Sequence, residues 1–289
     1  MKRNKLIASV IMIVAVALML VLTLGEPKKE PETGFAAHRV IAHAMGGINN
    51  KAYTNTQDAF IANYEQGTRI FEADLLLTSD DQLVARHEWT TGMSKKLGQQ
   101  EVLPPDKQGD VLTHEEVMNS PVLELYSPLD IEKIVELMEV YPDAYVVTDT
   151  KELEPEQVTK QFELIVEAAQ KKDPALLQRI VPQIYSREML GVVKKVYDFP
   201  EMIFTLYQTQ DSDEVILEFV KQTGVDITMP IDRATKSFVR QLKKAGARVY
   251  VHTVNDEKEI VKLSRLGVDG FYTDFIAEND LKQIRGLRK

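Results

Sequence analysis

Glu72 and Asp74 stand two residues apart in the run Ile70-Phe71-Glu72-Ala73-Asp74-Leu75-Leu76-Leu77. In a β-strand, residues i and i+2 point to one face with Cα atoms about 6.6 Å apart, so the two carboxylates share a space. Two such groups repel unless protonated or bridged by a cation, and hard oxygen donors suit Mg2+ or Ca2+. The apolar neighbours argue against a solvated strand, the ordinary setting of an isolated acidic pair. His43 follows Val40-Ile41-Ala42, and His87 closes a further apolar segment. A single His at a strand end is commonly structural. Two beside an acidic pair point to general acid/base work, because imidazole titrates near neutrality. Trp89 is placed to line the substrate rim or to pack in the core. Tyr207 ends another strand-like run, and Asn255 is placed to orient a loop or a ligand. Arg86 should face away from His87 on its strand, and His38 and His114 fall where solvent exposure is expected.

The elements that must position these residues alternate short apolar runs with longer amphipathic ones, the pattern of an α/β fold. Eight runs read as parallel strands: Arg39 to Met45, Ile70 to Leu77, Ala144 to Asp149, Ile180 to Tyr185, Met202 to Tyr207, Asp226 to Met229, Arg248 to Thr253 and Asp269 to Thr273. A ninth, Gln82 to His87, follows the Ser79-Asp80-Asp81 turn, too short a connection for a parallel crossover, so it returns as a hairpin outside the count. Helical segments separate the strands, among them Thr56 to Gln66, Leu129 to Val140, Glu156 to Lys171, Ser212 to Thr223, Thr235 to Ala245 and Glu257 to Leu266. The expected fold is a (β/α)8 TIM barrel, whose right-handed crossovers gather the strand C-termini, and the site, on one face. Thr90 to Pro128 interrupts the alternation and reads as an inserted loop or small subdomain over that face.

Upstream of the barrel, Leu6 to Leu24 carry no charge and approach the roughly 20 residues needed to cross a bilayer. Lys2, Arg3 and Lys5 precede them, which places the N-terminus inside and the rest outside a cell membrane. The expected organisation is a basic tip and transmembrane anchor over residues 1–25, a tether over 26–38 and the barrel over 39–289. Cleavage as a signal peptide is the rival, weakened by the exit Leu22-Thr23-Leu24-Gly25-Glu26, which lacks small residues at both key positions. The first 38 residues hold five Lys/Arg against three Glu, a net of +2, which leaves −11 of the total −9 on the remainder. That acidic balance excludes nucleic acid as the main partner. With no Cys among 289 residues, disulfide scaffolds and thiolate zinc sites are excluded too.

The ordered set His43 with Gly46, Asn55-Thr56, Ala59-Phe60, Gly67, Glu72-x-Asp74, Thr78-x-Asp80, Val84 and His87 resembles the N-terminal signature of the glycerophosphodiester phosphodiesterases. That superfamily also contains phosphatidylinositol-specific phospholipase C. Asp149-Thr150-Lys151 stands where the family has E-x-K, Val254-Asn255 matches the end of its W-T-V-N, and Gly267-Val268-Asp269-Gly270 with Thr273-Asp274 matches its closing motif. The resemblance implies His43 and His87 as the acid/base pair, Glu72, Asp74 and Asp149 as ligands of one divalent cation, Ca2+ or Mg2+, and Lys151 on the phosphate. It also implies attack by a neighbouring substrate hydroxyl, giving a cyclic phosphodiester that water opens while the two His exchange roles. The chain departs from the family at Ala44, where an Arg is usual, at Thr54, where a Glu is usual, and at His252, which replaces the Trp. His252 is therefore a candidate substrate-binding residue in the role of the missing Arg, or else a packing substitute. The expected substrate is a phosphodiester small molecule, a lipid head group or an envelope polymer. A soluble diester or an envelope polymer is favoured over a bilayer lipid, because a tether entering before the first strand leaves the site facing away from the membrane. No protein partner is evident. The competing expectation is a non-catalytic envelope protein that binds phosphodiester polymers.

Overall fold

The computed structural model describes residues 33–287. The anchor run 6–24 lies outside the described residues, and among those described no helix is long and apolar enough to cross a membrane. The chain divides into two compact units, Met1–Ala37 and His38–Lys289. Of the first, the 3-10 turn Gly34–Ala37 is described.

The second unit is a closed barrel. Its parallel strands are β1 (Val40–Ala42), β2 (Ile70–Leu77), β4 (Tyr145–Asp149), β5 (Ile180–Ile184), β6 (Ile203–Thr205), β7 (Asp226–Pro230), β8 (Val249–His252) and β9 (Gly270–Thr273). Each pairs with the next in chain order, and β1 joins both β9 and β2 to close the ring. The short β3 (Leu83–Ala85) pairs antiparallel with the end of β2 and stays outside the ring, as the length of its turn requires. Strand after strand is buried on both faces, because one side meets the barrel interior and the other the helices. Phe71, for example, packs against Phe60 of the helix Gln57–Glu65, with ring centroids 4.1 Å apart, which turns its neighbour Glu72 inward.

The helices begin where the sequence supplies caps. Thr56, Asp130, Ser186, Ser212, Thr235 and Asp256 each accept a hydrogen bond from a backbone N–H of the following turn. A cap of this kind stabilises a helix by about 1 kcal/mol. The helix Arg187–Val196, not among the sequence expectations, spans β5 to β6 and buries Met189, Leu190 and Val193.

The first strand is shorter than its apolar pattern suggests. It ends at Ala42, and His43–Met45 form a 3-10 turn with left-handed backbone at Ala44 and Met45. The turn is held by Ala44 N–H, which donates to the Glu72 carboxylate at 2.8 Å. Gly46, at φ 87°, lies where an added Cβ would collide with the Asn63 amide, so only glycine lets the chain leave this turn against the helix Gln57–Glu65.

The insert 90–128 is a small subdomain with two apolar clusters, one around Leu103, Leu112 and Val117, the other around Met93, Leu97, Val122 and Tyr126. Buried Arg86 ties it to the barrel, donating to Gln99 Oε1 at 2.8 Å, Ser94 Oγ at 2.9 Å and Glu88 O at 3.0 Å. His38 and His114 are half-buried rather than exposed. His114 Nε2 lies 2.9 Å from Asp130 Oδ2, and burial lowers the pKa of His38.

Candidate active site

A cavity of about 240 Å³ opens at the C-terminal mouth of the barrel. His43, Glu72, His87, Asp149, Lys151 and His252 line it, and Asp74 lies fully buried at its edge. Trp89 does not line it. The apolar insert cluster offers the indole a drier surface than the rim, so the ring packs there, with the Arg86 guanidinium 5.1 Å from its centroid.

Three carboxylates meet here because of strand register. Glu72 and Asp74 share the inner face of β2, and parallel pairing sets Asp149 of β4 beside Asp74. One oxygen from each lies within 4.8 Å of the others. Burial, with Asp74 and Asp149 nearby, raises the pKa of Glu72, and burial likewise raises that of Asp149. Burial works against ionisation of Asp74 as well, yet Lys151, His87 and His43 together hold it well below the usual carboxylate range. Lys151, left-handed at φ 61°, places Nζ 2.5 Å from Asp74 Oδ1, 3.6 Å from Asp149 Oδ2 and 2.9 Å from the carbonyl of His87. Such a crowd of hard, dry oxygen donors, with only one ammonium among them, fits a divalent cation of the Mg2+ or Ca2+ type without rearrangement of the strands.

Residues around this cluster fix its geometry. Asn55, left-handed at φ 49°, donates Nδ2 to Asp74 Oδ2 at 2.8 Å and accepts from Asp74 N–H at 3.1 Å. Tyr185 donates to Asp149 Oδ1 at 2.5 Å. His43 Nδ1 lies 2.8 Å from Asp274 Oδ1, and Asn255 Nδ2 donates to the other oxygen of Asp274 at 2.7 Å. With Nδ1 engaged, His43 turns Nε2 toward Glu72, 3.8 Å away. Burial alone would lower the His43 pKa, but Glu72 and the hydrogen bond to Asp274 outweigh it and push it up to about 9. Burial lowers the pKa of His87, whose Nδ1 has no hydrogen-bond partner among the described residues. Tyr53 stands between the two imidazoles, edge-on to both, at 4.8 Å from His43 and 4.9 Å from His87. Lys96 of the insert lies 3.9 Å from the centroid of its ring.

The roles of Asn55, Asp274, Tyr53 and Tyr185 are not readable from spacing. Asn55 and Asp274 stand in recognisable motifs, but their partners lie 19 and 231 residues away. His252 is also at the cavity, yet burial, with a smaller contribution from His43, pushes its pKa down to about 4. A neutral imidazole does not supply the charge of the missing Arg.

Eight parallel strands around a carboxylate cluster, with two imidazoles at the strand C-termini, are the layout of a (β/α)8 hydrolase. The chain belongs to the glycerophosphoryl diester phosphodiesterase family, whose model matches residues 46–278, and is accordingly a phosphoric diester hydrolase. No curated protein matches the sequence. Solved structures do. A glycerophosphodiester phosphodiesterase from Parabacteroides distasonis superposes with TM-score 0.67 at 18% identity, over 85% of this chain and 96% of that one. The corresponding enzyme from Thermotoga maritima gives 0.63 at 19%, covering 85% and 97%. An Oleispira antarctica phosphodiesterase, solved with the product sn-glycerol-3-phosphate, gives 0.67 at 16%, covering 85% and 96%.

Proposed function

We propose that the protein hydrolyses glycerophosphodiester-type phosphodiesters with one divalent cation, Ca2+ or Mg2+, and with His43 and His87 as the acid/base pair. The observation that carries this reading is the meeting of both imidazoles, the three carboxylates and Lys151 at one cavity mouth. A module that only binds polymers has no use for two acid/base groups, so family membership and this geometry together favour the enzyme.

Glu72, Asp74 and Asp149 would hold the cation, which supplies charge to the non-bridging phosphate oxygens. Lys151 Nζ, at the edge of the same cluster, is placed to contact those oxygens. His87, inclined to be neutral, takes the proton of the substrate's neighbouring hydroxyl as its oxygen bonds to phosphorus. His43, whose imidazolium is stabilised by Asp274, gives its Nε2 proton to the leaving alkoxide as the old P–O bond breaks. Water then opens the cyclic diester with the two roles reversed. The sn-glycerol-3-phosphate bound to the Oleispira enzyme supports a glycerol phosphate product.

The test is hydrolysis by the full chain of a glycerophosphodiester panel and of bis(4-nitrophenyl) phosphate, with Ca2+, Mg2+ or chelator. Chelator-sensitive turnover is expected. A folded protein inert with either metal on every substrate would return the polymer-binding reading to first place.

The uncharged run 6–24 behind Lys2, Arg3 and Lys5 supports a single-pass anchor with the barrel outside the cell membrane. Intact mass of membrane-extracted protein tests it, and loss of about 25 residues would mean cleavage instead.

A further inference from the structure

Tyr53 lies in the loop between the first strand and the helix Gln57–Glu65, at a left-handed φ of 64° that a bulky residue adopts only where its surroundings impose it. The insert holds the ring from outside. Tyr53 packs against the cluster of Met93, Leu97, Val122 and Tyr126, and Lys96 Nζ sits 3.9 Å from its ring centroid. On the cavity side the ring stands edge-on to His43 and His87, with centroids 4.8 and 4.9 Å from theirs. The residue is half-buried and lines the cavity, yet its hydroxyl has no hydrogen-bond partner among the described residues. Burial, with Asp274, Asp74 and Glu72 nearby, raises the phenol pKa, so the hydroxyl keeps its proton and serves as a donor.

Other donors at this place are missing or committed. Ala44 stands where the family has an Arg. Lys151 Nζ is shared among Asp74, Asp149 and the carbonyl of His87, and Asn55 Nδ2 is given to Asp74. In an in-line displacement the attacking and leaving oxygens are apical, here beside His87 and His43, and negative charge gathers on the equatorial oxygens. A group set between the two imidazoles borders that equatorial plane. We infer that Tyr53 is a further catalytic residue, whose hydroxyl donates to a non-bridging phosphate oxygen a hydrogen bond that strengthens as the phosphorane forms. This rests on the phosphodiesterase reading and adds a residue to it. The phenol keeps its proton throughout, so the acid/base roles of His43 and His87 are unchanged.

The test uses the full chain with its divalent cation, glycerophosphoglycerol, and the two phosphorothioate diastereomers of that diester, each with sulfur in place of one non-bridging oxygen. Tyr53→Phe keeps the ring between the imidazoles and removes only the hydroxyl. Its kcat on the oxygen substrate should fall by about 10- to 100-fold, with circular dichroism and calorimetric cation affinity as in the wild type. Sulfur accepts hydrogen bonds poorly, so for one diastereomer only the variant should lose less than about threefold against the wild type. A wild-type kcat in Tyr53→Phe, or the same loss on all three substrates, would overturn the inference, the second because a merely structural hydroxyl does not distinguish the two oxygens. Should Tyr53→Phe not fold, 3-fluorotyrosine at this position, nearly the same in size and a stronger donor, should raise kcat by about twofold, and an unchanged kcat would overturn the inference. Chelator-sensitive turnover by the wild type separates the two levels. Where it is present and Tyr53→Phe matches it, only the role of Tyr53 fails; a wild type inert on every substrate removes the phosphodiesterase reading and this role together.

Discussion

On the side of β1, β2 and β4 the cavity wall carries His43, Glu72, Asp149 and Lys151, each paired with a charged or strongly polar neighbour at 2.5 to 3.8 Å. On the side of β6, β7 and β8 it carries Thr205, Tyr207 and His252, whose Nδ1 lies 3.0 Å from the Thr228 hydroxyl. The first side keeps the family's residue types except Ala44, Thr54 and the shorter Asp149. The second departs from them, with His252 in place of the Trp. Charge concentrated on one wall can stabilise a developing phosphorane in a dry site. A neutral wall does little for that charge but can discriminate between alcohols by their hydrogen bonds. The charged side chains thus gather on the N-terminal strands and the neutral polar ones on the later strands.

Substitutions on the charged wall should cost the most activity. His43→Ala and His87→Ala should each lower kcat by on the order of 10²- to 10⁴-fold with an unchanged circular dichroism spectrum. Near wild-type rates in both variants would remove them from the chemistry. Asp149→Asn should lose most of its divalent-cation affinity and turnover together. In the wild type, a cation at 100-fold its Kd should stabilise the fold by about 2.7 kcal/mol, and calorimetry with thermal unfolding should find little of that in the variant. Asp274→Asn should act less strongly, by about 10², through the orientation and imidazolium stability of His43, with its alkaline pH limb moved to lower pH. The same kcat and pH limb in Asp274→Asn would show that His43 needs no partner.

On the neutral wall the expected effects are smaller. There the shift of an imidazole comes from burial and not from an ion pair: His252 has its pKa pushed down from 6.5 to about 4. Above pH 6.5 neither the folded nor the unfolded chain binds the proton, so stability is unaffected. As pH falls below 6.5 the unfolded chain takes up a proton that the folded chain refuses, and stability is lost until the folded value is reached. At pH 5 the loss is about 2 kcal/mol. Urea unfolding at about pH 7 and about pH 5 should therefore find a steeper loss in wild type than in His252→Phe. Equal losses would mean that the ring charges freely in its pocket.

The sequence carries the strands of the barrel clearly, because buried parallel strands are continuous apolar runs and the turns between them are marked by caps. The acidic cluster is equally legible, since a period of two puts Glu72 and Asp74 on one face and an adjacent strand end brings Asp149 beside them. The early end of β1 is hidden, because Ala44 and Met45 give no sign that they turn left-handed to deliver an N–H to Glu72. Tyr53 and Asn55 are hidden for the same reason, each set by a positive φ in the loop that follows. Trp89 misleads through its closeness to His87: the insert supplies an apolar cluster that outcompetes the rim. The contact of His252 with Thr228 joins residues 24 apart on two strands, and no local pattern encodes it.

Whether the charged wall is a metal-dependent phosphodiesterase centre is decided by titrating the full chain with Ca2+ or Mg2+ while cation binding and hydrolysis of glycerophosphoglycerol are followed in the same sample. Turnover should rise from a chelated baseline along the binding isotherm, in wild type but not in Asp149→Asn. Turnover undiminished by chelator, or a saturated and folded protein that cleaves nothing, would contradict that assignment.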